Sequence, residues 1–404
     1  MTTKTPEGTW LAFFLCTISY LFCGTVSTMM STYLPDVINE LEGGSVSETN
    51  IGELGAYINA ISLYGWMLGG ILLGVFGDKF GRKKILIFST ILYGVSSILL
   101  IVVSNWYLLL FLRFFSGFGV GGVLLLATVY ISEIWPKKTR PIMVGILAIA
   151  FPVGIVTSGA ITVMFASWRH AFWIALIPLI DAVLMWILLE ESEKWKNSSN
   201  KGKADFKAIF QRDYKKNLVL GSLIFGAVLI GLWGLFSWLP TWVQTLLPPG
   251  QDGQNERGLT MMLLGMGGIV GGSFSGFIVK SLGNRKSLML TFGGLILISG
   301  LLFLTNNHFT KMVYLEIASL ALFFGISQGV LSSYIPQLFP TGIRATATGF
   351  CFNVGRLFTA TAVFFVGAMV TFFGGFGNAL LSFSMFFVIA IAATFFSSDK
   401  QPEP

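Results

Sequence analysis

Four charged residues interrupt the apolar segments of this chain: Arg113, Asp181, Glu316 and Arg356. A charged side chain inside a bilayer costs at least about 2.5–3.5 kcal/mol on insertion scales, so each of the four needs a physical reason. A guanidinium group can donate parallel hydrogen bonds to both oxygens of a carboxylate, which a lysine ammonium cannot do. The two arginines therefore favour the binding of an anionic ligand.

The two arginines are predicted to lie at the same depth. At 1.5 Å per residue, Arg356 lies about 20 Å from one end of its helix, and Arg113 about 10 Å from the opposite end of its own. In a hydrocarbon core of about 30 Å these depths coincide. We expect both guanidinium groups to contact one carboxylate, with buried carbonyl groups as the alternative partners of Arg113.

Other polar and aromatic side chains of the apolar segments are candidates for lining a binding cavity. Tyr57 and Tyr64 are seven residues apart, so they share one face of a helix. For each candidate the alternative is packing against a neighbouring helix. The candidate lining residues are Tyr20, Tyr57, Asn59, Tyr64, Trp238, Gln328 and Asn353.

The two acids have less specific surroundings. Asp181 follows Pro178 in the sixth apolar segment, and we expect it to form a salt bridge or hydrogen bonds within its own half, with proton transport as the alternative. Glu316 lies near the end of its segment, where it is either solvated or part of a gate.

The segments that position these residues are long enough to cross a membrane. The chain is 54% hydrophobic and 11% charged, with a mean hydropathy of +0.76. A soluble domain this apolar would aggregate, whereas about 20 apolar residues in a helix span a bilayer. The pattern predicts an all-α membrane protein with twelve spans, near residues 9–34, 51–77, 83–103, 106–135, 141–166, 168–190, 217–246, 258–280, 286–304, 312–338, 343–371 and 375–396.

Two sequence motifs occur twice, about 200 residues apart. The stretch GVFGDKFGRKK at 74–84 returns as GFIVKSLGNRK at 276–286. The stretch YISEIWPKKTR at 130–140 returns as YIPQLFPTGIR at 334–344. The chain is therefore a duplicated half, and two membrane halves around a midplane site are typical of transporters.

The duplication predicts two six-helix bundles of related sequence. They comprise residues 1–190 and 217–404, and a polar cytoplasmic linker at 191–216 joins them. No soluble domain is predicted, and a monomer is expected.

Basic residues concentrate in the loops on one side of the predicted spans. By the positive-inside rule this side is cytoplasmic, as are both termini. The net charge of +7 is therefore a signal of membrane topology, and it requires no nucleic acid partner. The basic residues on this side are Lys79, Arg82, Lys83, Lys84, Lys137, Lys138, Arg140, the cluster at 194–216, Lys280, Arg285, Lys286 and Arg344.

The sequence lacks the motifs of metal-binding proteins, ATP-driven pumps and enzymes. Cys16, Cys23 and Cys351 lie inside apolar spans without metal-ligand spacing, so we expect buried thiols and no metal or cofactor. A P-loop and a nucleophile–base set are both missing, which excludes an ATP-driven pump and an enzyme.

The repeated motifs resemble those of a known family. The stretch at 74–84 resembles the loop motif of the major facilitator superfamily. The stretch at 130–140 is similar to a motif of its sugar porters, organic-ion transporters and aromatic-acid/proton symporters. The resemblance covers the whole chain and implies the twelve-helix fold of that superfamily. It also implies a cytoplasmic gating network that breaks when the inner gate opens, formed by Asp78, Arg82, Glu133 and Arg140.

With this resemblance, the sequence predicts a secondary transporter of the inner membrane that works by alternating access. Its expected cargo is a small organic anion, a carboxylate. The resembled families imply import coupled to protons, with uniport, or a proton carried in with the substrate, as the alternatives. In the resembled families the arginine matching Arg113 faces an acid of the first span, but the stretch at 20–27 contains none. The hexose motifs of sugar porters are also missing.

Two alternatives remain open from the sequence. The first is a transporter of neutral or cationic solutes, such as a drug exporter, which would need Asp181 or Glu316 as an accessible acid. The second is a receptor with a transporter fold that senses a solute without moving it, although its tails are short for that class.

Overall fold

A computed structural model describes residues 6–44, 46–197, 210–340 and 343–397 of the chain. These residues form α-helices with short 3-10 turns and no strand, so the all-α prediction is confirmed. Among them, eleven helices are long and apolar enough to span a membrane. The predicted count of twelve is reached when a pair of helices bent by 46° is taken as one span.

The helices follow the duplicated order of the sequence. The first half contains α1 (Pro6–Thr32), α2 (Leu34–Glu42), α3 (Glu48–Phe80), α4 (Arg82–Ile98), α5 (Trp106–Ile134), α6 (Arg140–Met164), α7 (Trp168–Ala171), α8 (Leu176–Leu188) and α9 (Glu193–Lys196). The second half contains α10 (Arg212–Phe236), α11 (Leu239–Thr245), α12 (Gln254–Leu282), α13 (Asn284–Thr305), α14 (Lys311–Gln337), α15 (Arg344–Phe364), α16 (Val366–Phe373), α17 (Phe376–Ser384) and α18 (Phe386–Phe396).

Some spans that were predicted as continuous are interrupted. The span predicted at 217–246 ends as α10 at Phe236 and resumes as α11, which has Pro240 in its first turn. Proline has no N–H group and its ring crowds the preceding turn, so the first turn of a helix is where it disturbs the hydrogen bonds least. The bent pair of helices is α15 and α16, within the span predicted at 343–371.

The chain divides into two compact units. The first holds Met1–Gly44 and Ile58–Lys203, and the second holds Ser45–Tyr57 and Ala204–Pro404. The long helix α3 therefore begins in the second unit and continues in the first. At its start, a Cβ atom on Gly367 of α16 would lie 2.5 Å from the Cα of Glu53, so the two backbones are in direct contact there.

Helices α1 and α6 of the first unit are joined by hydroxyl groups and small residues. Thr28 Oγ1 lies 2.8 Å from Ser158 Oγ, and one turn further on Thr32 Oγ1 lies 2.7 Å from Thr162 Oγ1. A Cβ atom on Gly154 would lie 1.9 Å from the carbonyl oxygen of Leu21. This contact holds α1 in place, the helix that supplies the partners of the buried charges described below.

We expect Gly154→Val to destabilise the first unit by about 1–3 kcal/mol, because the added side chain must push α1 away from α6. Thermal unfolding of the detergent-purified protein would measure the change. Gly145→Ala on the same helix is the matched control, because a Cβ atom there meets nothing within 4 Å. Equal unfolding midpoints for the two variants would contradict the prediction.

A second close contact recurs in both units. In the first unit, a Cβ atom on Gly65 or Gly69 of α3 would lie about 2 Å from backbone oxygens of α5. In the second unit, Gly267 and Gly271 occupy the repeat-equivalent positions on α12. Cβ atoms there would lie 2.4 Å from the Cβ of Ala321 and 2.1 Å from the carbonyl oxygen of Leu322, both on α14. Small residues let helices pack at this distance in a membrane. The repeat thus preserves packing as well as motifs.

Candidate functional site

Arg113, the single basic residue of α5, is buried. Its side chain is 2% exposed, and its Nη1 donates a long hydrogen bond of 3.4 Å to the carbonyl oxygen of Val26 on α1. Its Nε atom has no hydrogen-bond partner. None of the three ion pairs found in the described residues includes Arg113. This guanidinium therefore keeps donor capacity that the first unit does not satisfy.

Arg356 belongs to the second unit and is half-buried on α15. Asn353 lies one turn earlier on the same helix face, where its Nδ2 donates to the carbonyl oxygen of Gly349 at 2.9 Å. Gly355 lets α15 approach α10, because a Cβ atom there would lie 3.1 Å from the Cα of Gly226. A joint contact of Arg113 and Arg356 with one carboxylate remains a prediction.

The other candidate lining residues are divided between the units. Tyr20, Asn59 and Tyr64 belong to the first unit, and Tyr57, Trp238 and Gln328 to the second. Although Tyr57 and Tyr64 share α3, the structure does not bring them into one unit. The Tyr57 ring is 46% exposed and makes an edge contact with Phe364 at 5.2 Å.

Three of these side chains carry buried nitrogen atoms without a hydrogen-bond partner. They are Asn59 Nδ2, Trp238 Nε1 and Gln328 Nε2. Trp238 is fully buried, and its ring packs on Phe376 at 5.4 Å. For Trp238 the structure therefore shows packing, which the sequence leaves open as the alternative to lining a cavity. A buried donor without a partner costs free energy, so unpaired donors are expected where a polar ligand binds.

Asp78, Arg82 and Glu133 form an ion-paired group at the end of α3, which we call the Arg82 cluster. Arg82 Nη1 contacts Asp78 Oδ1 at 2.5 Å, and Arg82 Nε contacts Glu133 Oε1 of α5 at 3.1 Å. The side chains of Arg82 and Glu133 are 14% and 17% exposed, whereas that of Asp78 is 50% exposed. Gly81, with a φ of 117°, makes the turn that places Arg82 beside both acids.

Arg140, the fourth residue of the predicted network, has a different partner. Its Nε and Nη2 donate to the carbonyl oxygen of Trp135 at 3.3 and 3.1 Å. It forms no ion pair with the acids of the Arg82 cluster in the described part of the chain. Arg344, its repeat equivalent, donates in the same way to the carbonyl oxygen of Phe339 at 3.1 Å. In both halves this arginine therefore closes the turn between two helices.

The contact between Arg82 and Glu133 has a neutral equivalent in the second unit. Asn284 and Gln337 occupy the corresponding positions of the repeat, and Asn284 Nδ2 donates to Gln337 Oε1 at 2.9 Å. The same two helix ends are thus joined in both units, by charges in the first and by amides in the second. Sequence comparison of the halves anticipates the lost acids but not the retained contact.

The residues that follow α8 pack next to the Arg82 cluster, at the junction of α3 and α4. Glu191 Oε1 accepts from the backbone N–H of Lys83 at 2.9 Å, in the first turn of α4. Trp195 Nε1 donates to the carbonyl oxygen of Asp78 at 2.7 Å. Tyr130 donates to the carbonyl oxygen of Glu190 at 2.6 Å. The middle of the linker, residues 198–209, lies outside the described residues.

Cations gather where this segment meets α6. The pKa of Lys194 lies below its usual value, because of partial burial first and the nearby Arg140 second, while Glu133 acts in the opposite direction. Lys137 adds a further repulsion. Glu133 is therefore the acid that balances several positive charges at this end of the unit.

Glu191→Ala is expected to destabilise the protein by about 1–2 kcal/mol, because Gly81 at the start of α4 has no side chain to cap the helix and Glu191 supplies the acceptor. Thermal unfolding in detergent would measure this loss. Glu190→Ala is the matched control, since only its backbone carbonyl makes a described hydrogen bond. An unfolding midpoint equal to that of the control would contradict the capping function.

The remaining predicted groups also have defined places. The three cysteines are free and buried, as expected. Glu316 is half-buried and accepts from Asn306 Nδ2 at 2.7 Å. Within the described residues, no group of three or more His, Cys, Asp and Glu side chains could hold a metal ion.

The helix order and the contacts at the helix ends are repeated in the two halves, and a family model matches most of the chain. The model of the Major Facilitator Superfamily matches residues 12–363. The chain belongs to this superfamily. As a member of it, the chain is a multi-pass membrane transporter and not an enzyme.

The superfamily members most informative for this chain are bacterial. A cis,cis-muconate transport protein of Acinetobacter baylyi is 27% identical, covering 98% of this chain and 96% of that protein. A sialic acid transporter of Escherichia coli is 26% identical, covering 93% and 90%. A benzoate transport protein of Acinetobacter baylyi is 24% identical, covering 98% and 91%.

Solved structures of the superfamily share the fold. The crystal structure of a D-xylose-proton symporter superposes with a TM-score of 0.77 at 18% identity, covering 95% of this chain and 96% of the other. At that identity the likeness concerns the fold alone. The predicted fold, the major facilitator arrangement of transmembrane helices, is confirmed.

Proposed function

We propose that this protein imports a small organic carboxylate across the bacterial inner membrane, together with protons and by alternating access. Two six-helix bundles, residues 1–190 and 217–404, would move against each other around the substrate, connected by the linker at 191–216. Arg113 and Arg356 would each donate to the carboxylate from its own bundle. The protein would work as a monomer, with both termini in the cytoplasm.

The observation that carries this proposal is the state of Arg113. Its guanidinium is buried, makes one long hydrogen bond to a carbonyl group and has no acidic partner in the described part of the chain. Keeping an unpaired charge in an apolar interior is costly, so a function that needs the charge must compensate for it. A carboxylate brings the missing negative charge and can accept two parallel hydrogen bonds.

The names of the relatives support the same substrate class. Muconate, sialic acid and benzoate differ in size and shape, but each carries a carboxylate at neutral pH. A cation at one position could bind the carboxylate of each of these substrates, whereas the rest of the cavity would vary between the transporters. Among the candidates, the aromatic and amide side chains of Tyr20, Asn59, Tyr64, Trp238 and Gln328 would select the remainder of the molecule.

The test is a transport assay with the purified protein in proteoliposomes. We expect uptake and counterflow of radiolabelled carboxylates from a panel of benzoate, cis,cis-muconate, nicotinate and sialic acid, and none of xylose or of a cationic dye. An inward proton gradient is expected to accelerate the uptake. Transport of the sugar or the dye with no carboxylate transported would overturn the proposal.

A further inference from the structure

A second buried charge of the first unit lies on α8. The side chain of Asp181 is 2% exposed, and its Oδ2 accepts a hydrogen bond of 2.9 Å from Ser19 Oγ on α1. Its Oδ1 atom has no hydrogen-bond partner. No ion pair among the described residues includes Asp181. A carboxyl group is thus enclosed between helices with one oxygen satisfied and the other free.

The surroundings of Asp181 form a defined polar group, the Asp181 cluster of Ser19, Thr90, Tyr93 and Asp181. Ser19 Oγ also lies 3.1 Å from Thr90 Oγ1 of α4. The hydroxyl of Tyr93, likewise on α4, donates to the carbonyl oxygen of Ser19 at 3.2 Å. The cluster therefore links α1, α4 and α8, and its hydroxyl groups can donate to a carboxylate or accept from a carboxylic acid.

Among the described residues, the titratable groups next to Asp181 are neutral acids and not cations. On α1 the neighbouring titratable group is the Cys16 thiol, and on α4 it is the Tyr93 phenol, itself close to Cys23. The 3-10 turn Phe172–Ala175, which precedes α8, has no titratable side chain. A carboxyl group in an apolar interior is costly when charged and unpaired, and it is accommodated far better when it binds a proton.

We propose that Asp181 is the residue that carries the proton during transport. The free Oδ1 binds one proton and later releases it, while Ser19 Oγ remains bonded to Oδ2 in both forms. No acidic residue occurs in α1 between Gly8 and Thr32, so the acid closest to this part of α1 comes from α8. The assignment rests on the proton-coupled import proposed above.

The cluster also offers a way to couple protonation to movement. Ser19 lies on α1, the helix that carries Val26, the carbonyl partner of Arg113. Binding a proton at Asp181 removes the charge from the acceptor of the hydrogen bond that Ser19 on α1 donates to α8, and so weakens that bond. The same helix therefore contacts both the proposed proton site and the proposed substrate arginine.

The first experiment compares Asp181→Asn, Ser19→Ala and Glu316→Gln in proteoliposomes. Asparagine keeps the shape and the acceptor for Ser19 but cannot carry a proton. We expect Asp181→Asn to lose all acceleration by a proton gradient while retaining carboxylate counterflow at equal pH. Glu316→Gln, outside the Asp181 cluster, should respond to the gradient as the wild type does, whereas Ser19→Ala removes the link between α8 and α1 and should respond more weakly. Gradient-driven accumulation by Asp181→Asn would overturn the assignment.

A second measurement needs no substrate. Infrared difference spectra of the purified protein between acidic and alkaline buffers should contain a protonated-carboxyl band that Asp181→Asn removes and Ser19→Ala shifts. A band unchanged by Asp181→Asn would also overturn the assignment. Carboxylate counterflow without any gradient response in the wild type would reject the proton site but leave anion transport in place. Absence of carboxylate counterflow would reject the proposed substrate class, and the infrared band would still decide the proton site.

Discussion

Arg113→Met is expected to abolish most carboxylate uptake while leaving the protein at least as stable as the wild type. A hydrogen-bonded contact to a charged group contributes about 1.5–3 kcal/mol, and each 1.4 kcal/mol corresponds to about tenfold in affinity. Uptake at low substrate concentration should therefore fall by about 10- to 150-fold. Initial rates in proteoliposomes and thermal unfolding in detergent measure the two quantities.

The stability of Arg113→Met distinguishes two roles of Arg113: binding the substrate, or holding α1 in place. Replacing a buried, unpaired charge by an apolar side chain of similar length removes a desolvation cost, so the unfolding midpoint should stay or rise. If Arg113 mainly held α1 through the carbonyl oxygen of Val26, the same variant would unfold earlier. A stabilised but inactive protein is the combination expected of a residue kept for its ligand.

Arg113→Lys and Arg212→Gln complete the series. Lysine keeps the charge but loses the planar pair of donors, so partial uptake with a raised KM is expected. Arg212 is exposed at the start of α10, and its removal should leave transport unchanged. Arg356→Gln should resemble Arg113→Met in uptake. Uptake near the wild-type rate in both Arg113→Met and Arg356→Gln would refute the arginine site.

Much of the fold is contained in local features of the sequence. Hydropathy predicts helices because a membrane span must satisfy its backbone internally, and the repeated motifs predict matching helix ends. Hydropathy does not predict the interruption after α10, because Pro240 lies within an apolar run. The start of α3, up to Tyr57, joins the second unit through backbone contacts of small residues, which no periodicity reveals.

In the candidate site, too, the sequence predicts some features and not others. Buried charges stand out in an apolar sequence, so Arg113 and Asp181 could be identified before their surroundings were known. Their partners could not, because Val26 contributes a carbonyl group and Ser19 a common hydroxyl. The resemblance implies an ion-pair network for Arg140, whereas its guanidinium donates to a backbone acceptor of the adjacent turn, the Trp135 carbonyl oxygen. Backbone acceptors have no residue type, and a sequence cannot display them.

Arg82→Gln is expected to lower both stability and transport, because Glu133 loses the guanidinium that forms an ion pair with it at 3.1 Å. The pair is mostly buried, and loss of one partner of such a pair should destabilise by about 1–3 kcal/mol after allowance for its partial exposure. If the Arg82 cluster holds one conformation of the cycle, a coupling of about 1–3 kcal/mol changes the population of that conformation by about 5- to 150-fold. Asp78→Asn should have a smaller effect, because Asp78 is half exposed.

The second unit supplies the decisive variant for this cluster. The double substitution Arg82→Gln and Glu133→Gln places two amides where the repeat has Asn284 and Gln337, a contact that the fold already accommodates. We expect the double variant to recover the unfolding midpoint but not the transport rate. A neutral pair cannot replace the ion pairs that Arg82 forms with Asp78 of α3 and Glu133 of α5. Recovery of both quantities would mean that the Arg82 cluster only joins two helix ends, as Asn284 and Gln337 do. Recovery of stability alone would assign the charges, and not the contact, to the transport cycle.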